Sequence, residues 1–93
     1  MTTEGNADRW QRGAECISTE VDDQRVLFAI ESGKYVALNV TAERIWDMLA
    51  EPLSEDEIVA RLRAQFEVDA ATCRAAVDRT LAELAATKLV RRV

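Results

Sequence analysis

The sequence predicts an α+β fold in which a three-stranded antiparallel β-meander precedes three helices. Between residues 14 and 38, three short strand-like runs are separated by short polar turns; the first run alternates apolar and polar residues, and the second is strongly apolar. From residue 41 onward, apolar residues recur every three or four positions, which is the helical period. The single change of period separates sheet from helices along the chain, as is typical of the α+β class. The element order is also winged-helix-like.

The chain length fits one small domain. Residues 1–13 are polar and without a hydrophobic period, so we expect a flexible N-terminal segment there. Trp10 is its one large apolar residue, and we expect it to dock on the domain. Residues 14–93 then form the single folded domain.

Two turns divide the sheet region into strands. Asp22 and Asp23 favour the first turn, because aspartate competes well for turn positions. Ser32 and Gly33 favour the second, since glycine adopts a positive φ at little cost. A meander in this order leaves the first and third strands at the sheet edges. The predicted strands are AECISTEV (14–21), RVLFAIE (25–31) and KYVAL (34–38).

Capping residues mark the three helices. Asn39 or Thr41 is a suitable N-cap for the first, and Ser54 with Glu57 forms an S-x-x-E capping box for the second. Asp69 is the expected cap of the third. After that helix, LV (89–90) is expected to return to the core. The predicted helices end near residues 50, 66 and 88.

Composition weighs against several functions. The net charge of −5 disfavours binding to nucleic acid or to an anionic membrane surface. No apolar run approaches the roughly 20 residues of a membrane span, and the N-terminus has no apolar signal core. We therefore expect a cytoplasmic protein.

The sequence offers little chemistry. It has no histidine, no Gly-rich phosphate loop and no Cys-x-x-Cys pair, so we predict no enzyme activity, no metal site and no cofactor. Cys16 and Cys73 are far apart in sequence, and we interpret them as reduced, partly buried thiols.

Two long segments together resemble the PqqD family, whose members are RiPP recognition elements. These small domains bind the leader peptides of ribosomally made, post-translationally modified peptides. The resemblance covers about residues 26–90, and its pieces are weak alone but fairly specific in combination. They are Tyr35, LNVT (38–41), Ile45-Trp46, Glu57-Ile58, and Val77, Leu81 and Leu84.

Three positions depart from the family pattern. Ala42 stands where glycine is frequent, and Ala76 where an acidic residue is frequent. Lys88 replaces a frequent glycine near the end of the third helix, which loses a favoured C-cap residue.

The resemblance implies that a leader peptide adds as a strand to the edge of the third predicted strand, in a groove beside the third helix. Arg79 and Glu83 are further candidates, with Arg74 and Asp78, for fixing the register of the leader by charge, because the sequence leaves open which flank of the helix faces the groove. A different interpretation is an edge protected by its shortness and by Lys34. The predicted binding residues are Lys34, Tyr35, Val36, Ala37 and Leu38 on the strand, and Arg74, Val77, Asp78, Thr80 and Leu81 on the helix.

The resemblance also implies partners. A non-catalytic protein of this kind would bind a precursor leader peptide and deliver it to a maturation enzyme. We favour a leader peptidase and cyclase pair of lasso-peptide type. The alternative is a radical-SAM enzyme of the pyrroloquinoline quinone type. A winged-helix nucleic-acid binder is a third hypothesis, which the negative charge disfavours, and a small enzyme is a fourth.

Overall fold

The computed structural model describes residues 9–13 and 15–92. Within these ranges the sheets and helices are segregated, so the predicted α+β class is confirmed. The elements in chain order are β1 (Arg9–Arg12), β2 (Cys16–Val21), β3 (Gln24–Ala29), β4 (Lys34–Leu38), α1 (Val40–Met48), β5 (Leu53–Ser54), α2 (Glu55–Gln65), α3 (Ala70–Ala86) and β6 (Val90–Arg92).

The predicted meander is confirmed as the sheet β2-β3-β4, in which every pairing is antiparallel. Leu27 of the central strand lies opposite Ser18 on one side and Val36 on the other. Asp22 and Asp23 form a two-residue turn with φ of 53° and 66°. Such a turn matches the right-handed twist of the strands, and aspartate tolerates these angles better than most residues do.

The turn between β3 and β4 is longer than predicted. β3 ends at Ala29, whereas the sequence predicted a strand to residue 31. The chain turns at Gly33, which has a φ of 72° and whose N–H donates to the Ala29 carbonyl over 2.7 Å. Ile30 therefore lies beyond the end of β3 and is 50% exposed, although its N–H still donates to the Glu15 carbonyl over 3.3 Å and its apolar side chain had extended the predicted strand.

A second sheet of order β5-β1-β6 was not predicted. Its central strand, Arg9–Arg12, lies in the segment expected to be flexible, so that expectation is wrong for these residues; residues 1–8 lie outside the described ranges. Trp10 lies opposite Leu53 and Arg92 and packs against the core, which confirms its predicted docking. The sheet was not predicted because strands this short show no alternation of apolar and polar residues, and because the strands that pair are far apart in sequence.

The helix N-termini confirm the predicted caps of α2 and α3, and they show which of two candidate residues caps α1. The Ser54 backbone N–H donates to Glu57 Oε1 over 2.8 Å, and the Glu57 N–H donates to Ser54 Oγ over 3.1 Å, which completes the capping box. Asp69 caps α3. Asn39, rather than Thr41, caps α1, because its Oδ1 accepts the Ala42 N–H over 2.8 Å.

The core lies between the inner face of the meander and the three helices. Val77 and Leu81 of α3 are 0% and 2% exposed, and Leu89 and Val90 return to the core as predicted. The other buried apolar residues are Leu27, Ala29, Leu38, Ala42, Ile45, Trp46, Leu49, Leu53, Ile58, Val59, Leu62, Cys73 and Leu84.

The end of α3 forms a Schellman motif. The Leu89 N–H donates to the Leu84 carbonyl over 2.9 Å, and the Lys88 N–H donates to the Ala85 carbonyl over 3.0 Å. Lys88 itself has a φ of 65°, the left-handed region that favours glycine. The motif therefore forms without the glycine that the family often has there.

Among the described residues, no helix combines the length and the apolar character needed to cross a membrane.

Candidate functional site

β4 is an edge strand of the meander. It pairs with β3 on one side, and no described strand pairs with its outer edge. Val36 and Leu38 are turned toward the interior, whereas Tyr35 is 72% exposed and Ala37 is also exposed. The strand contains no proline and carries one charge, Lys34. An edge of this kind is able to accept a further strand.

A groove runs between this edge and α3, and we call it the β4–α3 groove. Its first part, of about 370 Å³, is lined by Tyr35, Val36, Ala37, Glu83, Ala86 and Thr87. Its second part, of about 290 Å³, is lined by Asn39, Thr41, Ala76, Arg79, Thr80 and Glu83. Glu83 lines both parts, so they adjoin. Along the groove, residue numbers rise on β4 as they fall on α3, so the two elements run in opposite directions.

The β3–β4 turn is held against the end of α3. The Ser32 hydroxyl donates to the Thr87 carbonyl over 3.3 Å. Phe28 and Tyr35 lie opposite each other on the outer sheet face, with ring centroids 4.8 Å apart. These contacts fix β4 relative to both neighbours and so fix the width of the groove at this end.

An apolar cavity of about 320 Å³ continues the groove beyond its Asn39 end. It shares Thr41 and Ala76 with the second part of the groove. The Arg44 guanidinium lies 5.6 Å from the ring centroid of Phe66, which also lines this cavity. Its remaining lining residues are Leu62, Val68, Thr72 and Cys73.

The structure does not bring all predicted helix residues to the groove. Thr80 lines it, but Val77 and Leu81 point into the core and are at most 2% exposed. The sequence interpretation placed these two on the groove wall together with Thr80, although they lie on the apolar stripe of α3 and Thr80 lies on its shoulder. That stripe is the buried face of α3, which packs against α1 and α2.

Arg74 and Asp78 lie on the opposite flank of α3, facing the start of α2. Arg74 donates to Glu55 over 3.1 Å and also to Asp56. A hydrogen bond with Asp78 raises the pKa of Glu55 above its ordinary value, and burial adds to this effect. Both predicted residues are therefore engaged between α2 and α3, away from β4.

The groove wall on α3 includes three residues that the sequence interpretation did not propose as binding residues: Ala76, Ala86 and Thr87. Together with Arg79 and Glu83 they recur every three or four positions, so they share one flank of the helix. That spacing was visible in the sequence. The choice of flank depends on where α2 and β4 pack, which helical phase does not reveal.

The groove offers backbone hydrogen bonds along one side and small or polar side chains along the other. Within the described part of the chain, no group of three potential ligands could hold a metal ion. The arrangement suits an extended peptide, whose backbone would pair with β4 and whose alternate side chains would point toward α3.

Comparison with known proteins identifies a family and a similar solved structure. The family model described as coenzyme PQQ synthesis protein D (PqqD) matches residues 24–90. The chain belongs to the PqqD family. A similar solved structure is TbiB1 in complex with the TbiA(beta) leader peptide, with 30% sequence identity and a TM-score of 0.74. That match covers 87% of this PqqD-family chain and 94% of the TbiB1 chain. No curated protein matches the chain.

Proposed function

We propose that this PqqD-family protein recognises the leader peptide of a ribosomally made precursor, which it binds as an added strand on the outer edge of β4. The single observation that carries the proposal is the β4–α3 groove, in which a strand edge that no described strand pairs with faces a helix across an open channel. The similar TbiB1 structure, solved with a leader peptide, supports it.

The edge and the helix contribute different parts of the binding free energy. Backbone hydrogen bonds to residues 34–38 supply affinity that depends little on sequence. Side chains at alternate peptide positions enter the groove and contact Ala76, Thr80 and Ala86, which supplies specificity. We propose antiparallel addition, since the rest of the sheet is antiparallel and such pairs are slightly more stable.

The proposed role is non-catalytic. The protein would deliver its bound precursor to a maturation enzyme in the cytoplasm, and we favour a leader peptidase and cyclase pair of lasso-peptide type. A radical-SAM enzyme of the pyrroloquinoline quinone type is the alternative. The absence of histidine supports a binding role over a catalytic one.

Titration with the leader of a precursor encoded beside this gene tests the proposal. Calorimetry gives the affinity, and amide chemical shifts locate the peptide. We expect the largest shifts in residues 34–38 and on the Ala76, Arg79 and Glu83 flank of α3. Tight binding that leaves the β4 amides unchanged would rule out strand addition at this edge. Failure of several encoded leaders to bind would rule out leader recognition.

A further inference from the structure

We propose that the β4–α3 groove selects peptides by the order of two charges. An acidic residue of the peptide would lie beside Arg79, and a basic residue two positions later would lie beside Glu83. This inference rests on the proposed function, and it names the class of leader that the groove accepts.

Arg79 and Glu83 both line the groove, and their charged groups have no partner among the described residues. Within residues 9–13 and 15–92, neither the Arg79 nor the Glu83 side chain takes part in an ion pair or a hydrogen bond; the Thr87 hydroxyl donates to the Glu83 backbone carbonyl, not to its carboxylate. Other arginines form ion pairs with carboxylates. Arg25 Nη1 lies 3.1 Å from Asp47 Oδ1, and Arg61 Nη1 lies 3.3 Å from Glu51 Oε2. The two groove charges are therefore available to a ligand.

Their spacing matches an extended peptide. Four residues along a helix rise about 6 Å, which separates Arg79 from Glu83 along α3. Side chains on one face of a strand repeat about every 6.8 Å. Because α3 runs alongside β4, successive groove-facing residues of an added strand would meet Arg79 and then Glu83.

Antiparallel addition fixes the order of the two charges along the peptide. Arg79 lies at the Asn39 end of the groove, beyond the C-terminal end of β4, whereas Glu83 also reaches the part lined by Tyr35. The N-terminal half of an antiparallel peptide meets Arg79 first, so the sequence read from its N-terminus is acid, any residue, base. Ala76 and Ala86 lie about one helical turn outside the two charges and leave room for larger side chains there.

Selection from a displayed library of random peptides of about ten residues tests this order. The library is selected in parallel on the natural protein and on the double variant Arg79→Glu with Glu83→Arg, which preserves net charge. We expect acid-x-base peptides from the natural protein and base-x-acid peptides from the variant. Synthetic peptides of the two orders should differ about five- to tenfold in Kd, and salt should reduce the difference.

A second double variant controls for the substitutions themselves. Glu51→Arg with Arg61→Glu exchanges an exposed ion pair away from the groove, and its selected peptides should match those of the natural protein. Peptides that shift the β4 amides without this charge order, or with the same order on both proteins, would overturn the inference and leave leader binding intact. Selection of no peptide that shifts the β4 amides would overturn both proposals.

Discussion

Arg12 lies over the indole of Trp46, with its guanidinium carbon 4.3 Å from the ring centroid. Its Nη2 and Nε also donate to the Trp46 carbonyl over 2.7 and 3.2 Å. Trp46 is in the last turn of α1, where a cation is favourable, and its carbonyl also accepts the Leu49 N–H over 3.2 Å. One side chain of β1 therefore adds a charged donor to the end of α1 and joins the second sheet to the helices.

Removal of this arginine should destabilise the protein. We expect Arg12→Ala to lower the free energy of unfolding by about 1–3 kcal/mol, since a hydrogen bond to a charged group is lost. Arg12→Lys should retain part of that stability. Urea denaturation measures both. The matched control is Arg79→Ala, which has no partner in the described structure and should change stability by less than about 0.5 kcal/mol. Equal losses for Arg12→Ala and the control would contradict the assigned role of Arg12.

The left-handed conformation of Lys88 predicts a stabilising substitution. The left-handed conformation destabilises a residue with a Cβ by roughly 1 kcal/mol or more, whereas glycine adopts it without this cost. We therefore expect Lys88→Gly to raise the free energy of unfolding by about 0.5–1 kcal/mol. Thr87→Gly is the control and should destabilise, because Thr87 has a φ of −96°. A Lys88→Gly protein that unfolds at lower urea would show that Lys88 does not adopt a positive φ.

Leu81 distinguishes a core residue from a groove residue. Leu81→Ala should cost about 2–5 kcal/mol of stability, because its side chain is only 2% exposed and truncation leaves a cavity. Leader affinity per folded molecule should change little under conditions in which the variant stays folded. Denaturation and calorimetry on the same preparation separate the two effects. Loss of affinity with unchanged stability would instead place Leu81 on the groove wall.

Ala86 and Ala82 form a matched pair for testing the groove. Ala86 lines the part of the groove beside Tyr35, whereas Ala82 is exposed on α3 and lines neither part of the groove. We expect Ala86→Arg to weaken leader binding at least about tenfold by filling the channel, and Ala82→Arg to have little effect. Both changes suit a helix, so circular dichroism should show folded proteins. Equal affinities would mean that the leader lies elsewhere.

The capping box of α2 predicts a dependence of stability on pH. The hydrogen bond from the Ser54 backbone N–H holds the pKa of Glu57 below its ordinary value of 4.5. Its stabilising contribution is therefore present above that value and is lost as pH falls through the lower pKa of the folded state. We expect Glu57→Gln to reduce Tm more at pH 7 than near pH 3. An equal reduction at both pH values would contradict a contribution from ionisation.

Local interactions explain what could be predicted. The β2–β3 turn depends on Asp22 and Asp23, and the α2 cap depends on Ser54 and Glu57, which are three residues apart. Such elements are encoded within a few neighbouring residues, so composition and period reveal them. The edge position of β4 followed from the same reasoning, because consecutive hairpins form a meander.

Long-range contacts explain what could not be predicted. Arg9–Arg12 becomes a strand only because β5 and β6, some forty and eighty residues later, provide partners. In the same way, α3 has two polar flanks of similar composition. Packing against α2 engages Arg74 and Asp78, and the other flank is left to face β4.

The sequence by itself determined the α+β class, the meander, the capped helices and the edge position of β4. Tertiary structure alone decided that the N-terminal strand joins the fold, that Val77 and Leu81 are core residues, and that Arg79 and Glu83 line the groove. The physical reason is that turns, caps and periodicity depend on neighbouring residues. The direction in which a helix flank faces depends on the relative placement of whole elements.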